Sequence, residues 1–251
     1  MIDLHSHILF GIDDGASDLA VSLEMARRAV DDGVEVMACT PHFFPGLFDP
    51  SPADVTHRVA VLNDALADSG IDLAVVSGCE AHVRPDMVGR LRSGKLLAIH
   101  HGRYVLCELP EAVRPPNLDQ LFFNMLTAGY IPLLAHVERY AWARRDVAWI
   151  SRMAESGILM QVTAGSLLGE YGRGAQSLAI TLLQENLVHI VASDAHDARR
   201  RPPGLSRARD FVTREMGRGM ASRLFSTTPE SILMSGMNSR GSIETEAAQS
   251  V

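Results

Sequence analysis

Apolar residues in this chain fall into short runs, separated by longer segments in which an apolar residue recurs every three or four positions. The first run, Met1 to His7, reads M-I-D-L-H-S-H. As a strand it sends Ile2 and Leu4 to one face and Asp3, His5 and His7 to the other. Ser17 to Asp32 reads as a helix, with Ser17 as its cap, an apolar stripe of Leu19, Leu23, Ala26 and Val30, and Gly33 at its end. Val34 to Thr40 is a second strand that runs into Pro41 and His42, followed by a loop from Phe43 to Pro50 rich in aromatic residues and proline. Ser51-Pro52 opens a helix that Gly70 closes. Ile71 to Gly78, Tyr104 to Leu109, Ile131 to Ala135, Ile158 to Thr163 and Val188 to Ser193 are the remaining strands. Helical periodicity covers 117–128, 141–156 and 174–186 between the later ones.

Strand and helix alternating through short connections predict a parallel sheet with right-handed crossovers. Polar residues then recur where such strands end: His5 and His7, His42, Glu80, Glu108, His136, and Asp194 with His196. A closed α/β barrel carries its chemistry on the carboxyl ends of all its strands, whereas an open sheet concentrates it at one switch point. The pattern therefore predicts a seven-stranded (β/α) barrel as a single domain over 1–234. The tail from Ser235 to Val251 is polar, has little to bury and is expected to be disordered.

The chain has 251 residues, 47% of them hydrophobic, and a formal net charge of -7. An acidic balance argues against a general nucleic-acid binder. No apolar run approaches the length of a membrane span, no charged-then-apolar leader precedes the first strand, and the expected location is the cytoplasm. Cys39, Cys79 and Cys107 are scattered and odd in number, so they form neither a disulfide framework nor a Cys-x-x-Cys site. None is followed at the sixth position by arginine, which removes the cysteine-phosphatase loop. Cys79 and Cys107 each precede a glutamate and should point to the opposite face, into the layer between barrel and helices.

Neutral imidazoles are good ligands for divalent first-row metals, and a His-x-His pair on a strand supplies two of them side by side. Taken alone, such a pair is more often a surface or capping feature. Ser193-Asp-Ala-His196 repeats the two-residue spacing after another apolar run. Glu80 and Glu108 end apolar strands, where a carboxylate has to be paired or metal-bound to offset its desolvation. His57, His82, His100, His101 and His189 read as structural. Arg139, Arg144 and Arg145 follow His136, and Arg199, Arg200 and Arg201 follow His196. In an acidic chain, two arginine groups beside candidate cations point to an anionic substrate, and the planar guanidinium suits phosphate.

Read together, Met1-Ile-Asp-Leu-His-Ser-His7, Gly11-Ile-Asp-Asp-Gly15, Thr40-Pro-His42, Glu80, Glu108-Leu-Pro110, His136-Val-Glu-Arg-Tyr140, Ala164-Gly-Ser-Leu167, Ser193-Asp-Ala-His196 and Arg201-Pro-Pro203 resemble the polymerase-and-histidinol-phosphatase (PHP) superfamily. Within it they resemble the bacterial manganese-dependent protein-tyrosine phosphatases encoded with capsule and exopolysaccharide genes. The resemblance covers residues 1 to about 234. It implies a distorted seven-stranded (β/α) barrel and three metal ions, manganese with iron or zinc as alternatives. His5, His7, Glu80 and Asp194 would hold one; Glu80, as a bridge, with Glu108 and His136 a second; Asp14, His42 and His196 the third. A metal-bound hydroxide would attack phosphorus while Arg139 and Arg201 grip the phosphate. A phenol, with a pKa of about 10, leaves without a strong general acid, so none is assigned. The implied partner is a phosphotyrosine protein, the tail of a bacterial tyrosine kinase. Val137 and Thr163 depart from the pattern, standing where proline and asparagine are usual. Two other activities fit the same residues: a phosphomonoesterase on a small metabolite such as histidinol phosphate, and a metal-dependent amide hydrolase.

Overall fold

Pro41 lacks a backbone N–H, and it interrupts the second strand. A computed structural model of the chain describes residues 1–236; all but the first two residues of the expected disordered tail lie outside the described residues. Within them, nine strand segments form two parallel sheets: β1 (Ile2–Ser6), β2 (Val36–Cys39) and β4 (Ala74–Ser77) in the order β1-β2-β4, and β3 (His42–Phe43), β5 (Glu80–His82), β6 (Tyr104–Glu108), β7 (Ile131–Leu134), β8 (Leu159–Thr163) and β9 (Ile190–Ala192) in the order β3-β5-β6-β7-β8-β9. The segments exceed the seven strands expected because β3 and β5 lie beyond the ends read for the second and third strands, after breaks at Thr40-Pro41 and at Gly78-Cys79. The Glu80 amide still donates to the Pro41 carbonyl at 3.0 Å, which keeps the two breaks beside each other. The sheet curls until its first and last strands meet: the His7 amide donates to the Ala195 carbonyl at 2.7 Å and the Asp194 amide to the His5 carbonyl at 2.9 Å. The architecture is an α/β fold around a curled parallel sheet.

The strict alternation expected for the first strand does not hold. Between Asp3 and Ser6 the register of β1 against β2 slips by one residue, a β-bulge. Leu4 packs with Leu106, Leu133 and Ile190 inside the curl, yet His5, its neighbour, also turns inward to Gln161. A bulge allows two successive side chains to share a face. Asp3 instead accepts from the amides of Ser193 and His5 at 3.1 and 3.3 Å. Burial pushes its carboxyl up to about 6 against those bonds.

The helices form the outer layer. Helix α1 (Leu19–Asp31) is capped by Asp18 rather than Ser17, whose hydroxyl donates to the Asp18 carboxylate. Ser51 and Asp54 form a capping box on α2 (Pro52–Asp68). Short α3 (Met87–Arg92) follows, unsignalled by periodicity because it is less than two turns long, and then α4 (Leu118–Thr127). The helix expected over 141–156 is shorter: Ala143–Arg145 is a 3-10 turn, and Asp146 caps α5 (Val147–Glu155) by accepting from the Trp149 amide. The one-turn α6 (Ala164–Leu167) leads to α7 (Gly172–Gln184), and α8 (Ser206–Met216) and α9 (Arg218–Ser222) complete the layer.

Two apolar clusters result. One fills the space between sheet and helices and takes in Cys39, Cys79 and Cys107 with Val105, Leu134 and Met160, as alternation predicts for the cysteines. The other closes the end of the curl opposite the site, where helical residues 228–236 insert Ile232 and Leu233 against Leu4, Ala38 and Leu106. This cluster forms an apolar floor beneath the polar strand ends. No helix of the described residues is long and apolar enough to cross a membrane.

Candidate metal centre

The strand ends deliver four histidines and two carboxylates to one buried point. His5 Nε2 and His7 Nε2 face each other at 3.3 Å. Glu80 Oε2 lies 3.3 and 3.4 Å from them, and Asp194 Oδ1 lies 3.3 and 3.5 Å away. His42 Nδ1 approaches Glu80 Oε2 at 3.1 Å, and His136 Nε2 approaches Glu80 Oε1 at 2.9 Å. Glu108 stands beside these, 3.7 Å from His42 and 3.8 Å from His136. On the other side, Asp14 lies 3.5 Å from His42 Nε2 and 3.6 Å from His196 Nε2. All nine expected ligands are therefore brought together.

The other face of each ring decides what the inner nitrogens are. Gln161 Oε1 can only accept, so His5 carries its proton on Nδ1, 3.0 Å away. Asp13 Oδ2 does the same for His7 Nδ1 at 2.7 Å, and the Asp194 carbonyl for His196 Nδ1 at 3.0 Å. When neutral, each ring then presents a lone pair on Nε2 towards carboxylate oxygens that are themselves acceptors. Such a convergence repels itself unless positive charge is supplied. Ligands held about 2.1 Å from an ion lie roughly 3–4 Å from one another, which is the spacing found here. Among the described residues, Glu80 Oε2 and His136 Nδ1 are buried without a hydrogen-bond partner. Three groups among the described residues have donor atoms within 4.8 Å of one another: His5, His7 and Glu80; His42, Glu80 and Glu108; and His7, Asp14, His42 and His196. The residues fit divalent metal ions held by nitrogen and oxygen.

Titration of these groups tells the same story. Burial disfavours a charged His7, yet Asp13 above all, then Asp194 and Glu80, hold its pKa well above the ordinary value. Burial also opposes ionised Glu80 and Asp194, and His5 beside them keeps both well below the usual carboxylate range. His196, buried and facing His7, falls to about 3 and is neutral. Two of the strand-end residues bear backbone strain as well: His136 and Asp194 have φ of 31° and 55°, left-handed values that cost a non-glycine residue about 1–3 kcal/mol.

A family model described as "Capsular polysaccharide synthesis, CpsB/CapC" matches residues 1–234. The chain belongs to the CpsB/CapC family. It is 36% identical over 217 residues, 86% of this chain and 85% of the relative, to the tyrosine-protein phosphatase YwqE of Bacillus subtilis. It is 28% identical to the tyrosine-protein phosphatase CpsB of Streptococcus agalactiae, over 93% of this chain and 98% of the relative. Among solved structures it is similar to one from work on YwqE of Bacillus subtilis and CpsB of Streptococcus pneumoniae, described as unique metal-dependent tyrosine phosphatases. The TM-score is 0.90 at 35% identity, over 94% of this chain and 95% of the other.

In this member of the CpsB/CapC family the two expected arginines also reach the site. Arg139 donates from Nη1 to Asp194 Oδ2 at 2.8 Å and from Nη2 to Glu111 at 2.9 Å. Arg201 donates to the same Asp194 oxygen at 2.6 Å. Their neighbours Arg144, Arg145, Arg199 and Arg200 are exposed. Tyr171, not foreseen from the sequence, lies against both guanidinium groups, with its ring centroid 5.1 Å from Arg139 and 6.0 Å from Arg201 and its hydroxyl accepting from Arg201 Nε. Asp13 and Gln161 orient ring nitrogens in a way the sequence does not foretell; for Asp13 the adjacency to Asp14 is a signal, and for Gln161 there is none. His82, expected to be purely structural, stands at the edge of the site, with Nδ1 3.6 Å from Glu108. Val137 and Thr163, where the sequence departs from the family pattern, are both buried, and the Thr163 amide donates to Glu138.

Proposed function

We propose that this chain is a metal-dependent protein-tyrosine phosphatase of capsule or exopolysaccharide synthesis. The observation that carries the reading is the meeting of ring nitrogens and carboxylate oxygens from His5, His7, Glu80 and Asp194 at one buried point, with two arginines fixed at its rim. Its relatives are tyrosine-protein phosphatases, which supports the same activity here.

His5, His7, Glu80 and Asp194 would hold one ion, Glu80, Glu108 and His136 a second, and Asp14, His42 and His196 a third; manganese is the proposed metal. Glu80 faces His5 and His7 with Oε2 and His136 with Oε1, which supports a bridging role for this carboxylate. Divalent ions supply a water that ionises near neutral pH and positive charge for the phosphoryl oxygens. Arg139 and Arg201 bind and orient the phosphate, their guanidinium groups held by Asp194, Glu111 and Tyr171 so that little rotamer freedom is lost on binding. Counting β2 with β3, and β4 with β5, as interrupted strands supports a closed seven-stranded barrel in one domain over 1–234. The proposed substrate is a phosphotyrosine protein of the cytoplasm, the tail of a bacterial tyrosine kinase.

The test is metal content together with hydrolysis of a phosphotyrosine peptide. The purified protein should contain a divalent metal, lose turnover on chelation and regain it with Mn. Undiminished hydrolysis by chelated, metal-free protein would refute the reading.

A further inference from the structure

A cleft of about 480 Å3 borders the candidate centre. Asp14, His42 and Glu108 stand at its base, and one wall is the turn from Phe44 to Phe48. This turn is a tight antiparallel bridge, the Phe44 amide donating to the Phe48 carbonyl at 2.7 Å and the Phe48 amide to Phe44 at 2.9 Å. Phe44 stacks on His82, with ring centroids 4.2 Å apart, and Phe48 on His42 at 5.6 Å. Leu47, at the tip, is 65% exposed. An apolar side chain is thus held out to water by a turn that is pinned at both ends, facing a cleft whose base is charged.

We infer that the Phe44–Phe48 turn is the element that selects aryl over alkyl phosphate esters, with Leu47 and Phe44 covering the ring of the substrate tyrosine. This deepens the phosphatase reading and rests on it. A phosphoryl group at the base of the cleft places its ester carbon group between the turn and the opposite wall of Leu109 and Pro110. A flat phenyl ring buries apolar surface there, and edge or face contact with Phe44 adds to it. A short hydroxylated alkyl group gains neither and loses water from its own hydroxyls. Because the wall is fixed before substrate arrives, this discrimination carries no cost of loop ordering.

The experiment compares kcat/KM for a phosphotyrosine peptide and for glycerol 2-phosphate in the metal-loaded wild type, Leu47→Ser and Phe44→Ser. Leu47 is exposed, so its replacement leaves the fold intact, and metal content is measured for each protein. The ratio of the two kcat/KM values should fall about three- to tenfold in each variant, through KM for the peptide, as expected for losing part of one apolar side chain's burial. An unchanged ratio at full metal content, or equal losses on both substrates, would overturn the inference and leave the phosphatase reading standing. A wild-type protein that hydrolysed glycerol 2-phosphate but not the peptide would instead sink the tyrosine-phosphatase reading, and this inference with it.

Discussion

Asp13 Oδ2 lies 2.7 Å from His7 Nδ1, so the first of two adjacent aspartates orients a histidine while the second, Asp14, faces the centre. The same Asp13 oxygen accepts from the His42 amide at 3.0 Å, and its partner oxygen from the Gly15 amide at 2.9 Å. Outer partners of this kind set the tautomer and raise the basicity of a ligating ring. Asp13→Ala should therefore weaken metal affinity about 10- to 100-fold, with turnover regained at high Mn. Metal titration followed by activity checks this; unaltered affinity would reduce Asp13 to a loop residue.

Gly15 is required by a close approach rather than by its dihedral angles. A Cβ built on it would stand 2.1 Å from the His7 carbonyl oxygen and 2.5 Å from His7 Cβ, and the His7 backbone is held by its bonds to Ala195 and Ala16. Gly15→Ala should displace the loop that carries Asp13 and Asp14, with lowered melting temperature and loss of bound metal together. A variant with wild-type melting and full metal occupancy would contradict the crowding.

Arg139 and Arg201 share one oxygen of Asp194 and one aromatic ring, that of Tyr171. Replacing either arginine with Ala should cut turnover of phosphotyrosine peptides while leaving metal content and melting temperature close to wild type. Lysine keeps the charge but not the fork and should rescue little. Tyr171→Phe keeps the ring beneath Arg139 and should retain more activity than Tyr171→Ala. Wild-type kinetics in both arginine-to-alanine variants would remove these residues from substrate binding.

The surroundings of the three cysteines, all of them buried, argue against a thiolate mechanism. Burial pushes the Cys39 and Cys79 thiols up to about 12 and Cys107 higher still. A nucleophilic cysteine needs the opposite, a pKa lowered by neighbouring positive charge. In the native protein at pH 8 none should react with iodoacetamide, and all three should react after unfolding. The triple Cys→Ala variant should keep most of its activity, with a stability loss of about 1 kcal/mol for each cavity. A trapped phosphocysteine, or a folded and fully metallated triple variant without activity, would count against the metal-dependent reading.

What the sequence determined by itself was the order of elements and the identity of the inward polar residues. Hydrophobic period and strand-end position depend only on local side-chain direction, so His42, Glu80, Glu108 and His136 were legible before any contact was known. The family motifs added Asp14 to them. Tertiary structure decided what local pattern cannot express. A one-residue slip in β1 turned both Leu4 and His5 inward, because the bulge is set by pairing with β2 and not by the residues of β1. Past Pro41 and past the Gly78-Cys79 step the chain returned to the sheet as β3 and β5, beyond the ends read for those two strands, and Asp18 displaced Ser17 as a cap. Gln161, Tyr171 and His82 gave no signal, since each matters through a partner 25 or more residues away: His5 and His136 for Gln161, the two arginines for Tyr171, and Glu108 for His82. Which oxygen faces which nitrogen is a property of the curled sheet, and the chain acquires it only when residues 5–7 and 194–195 meet.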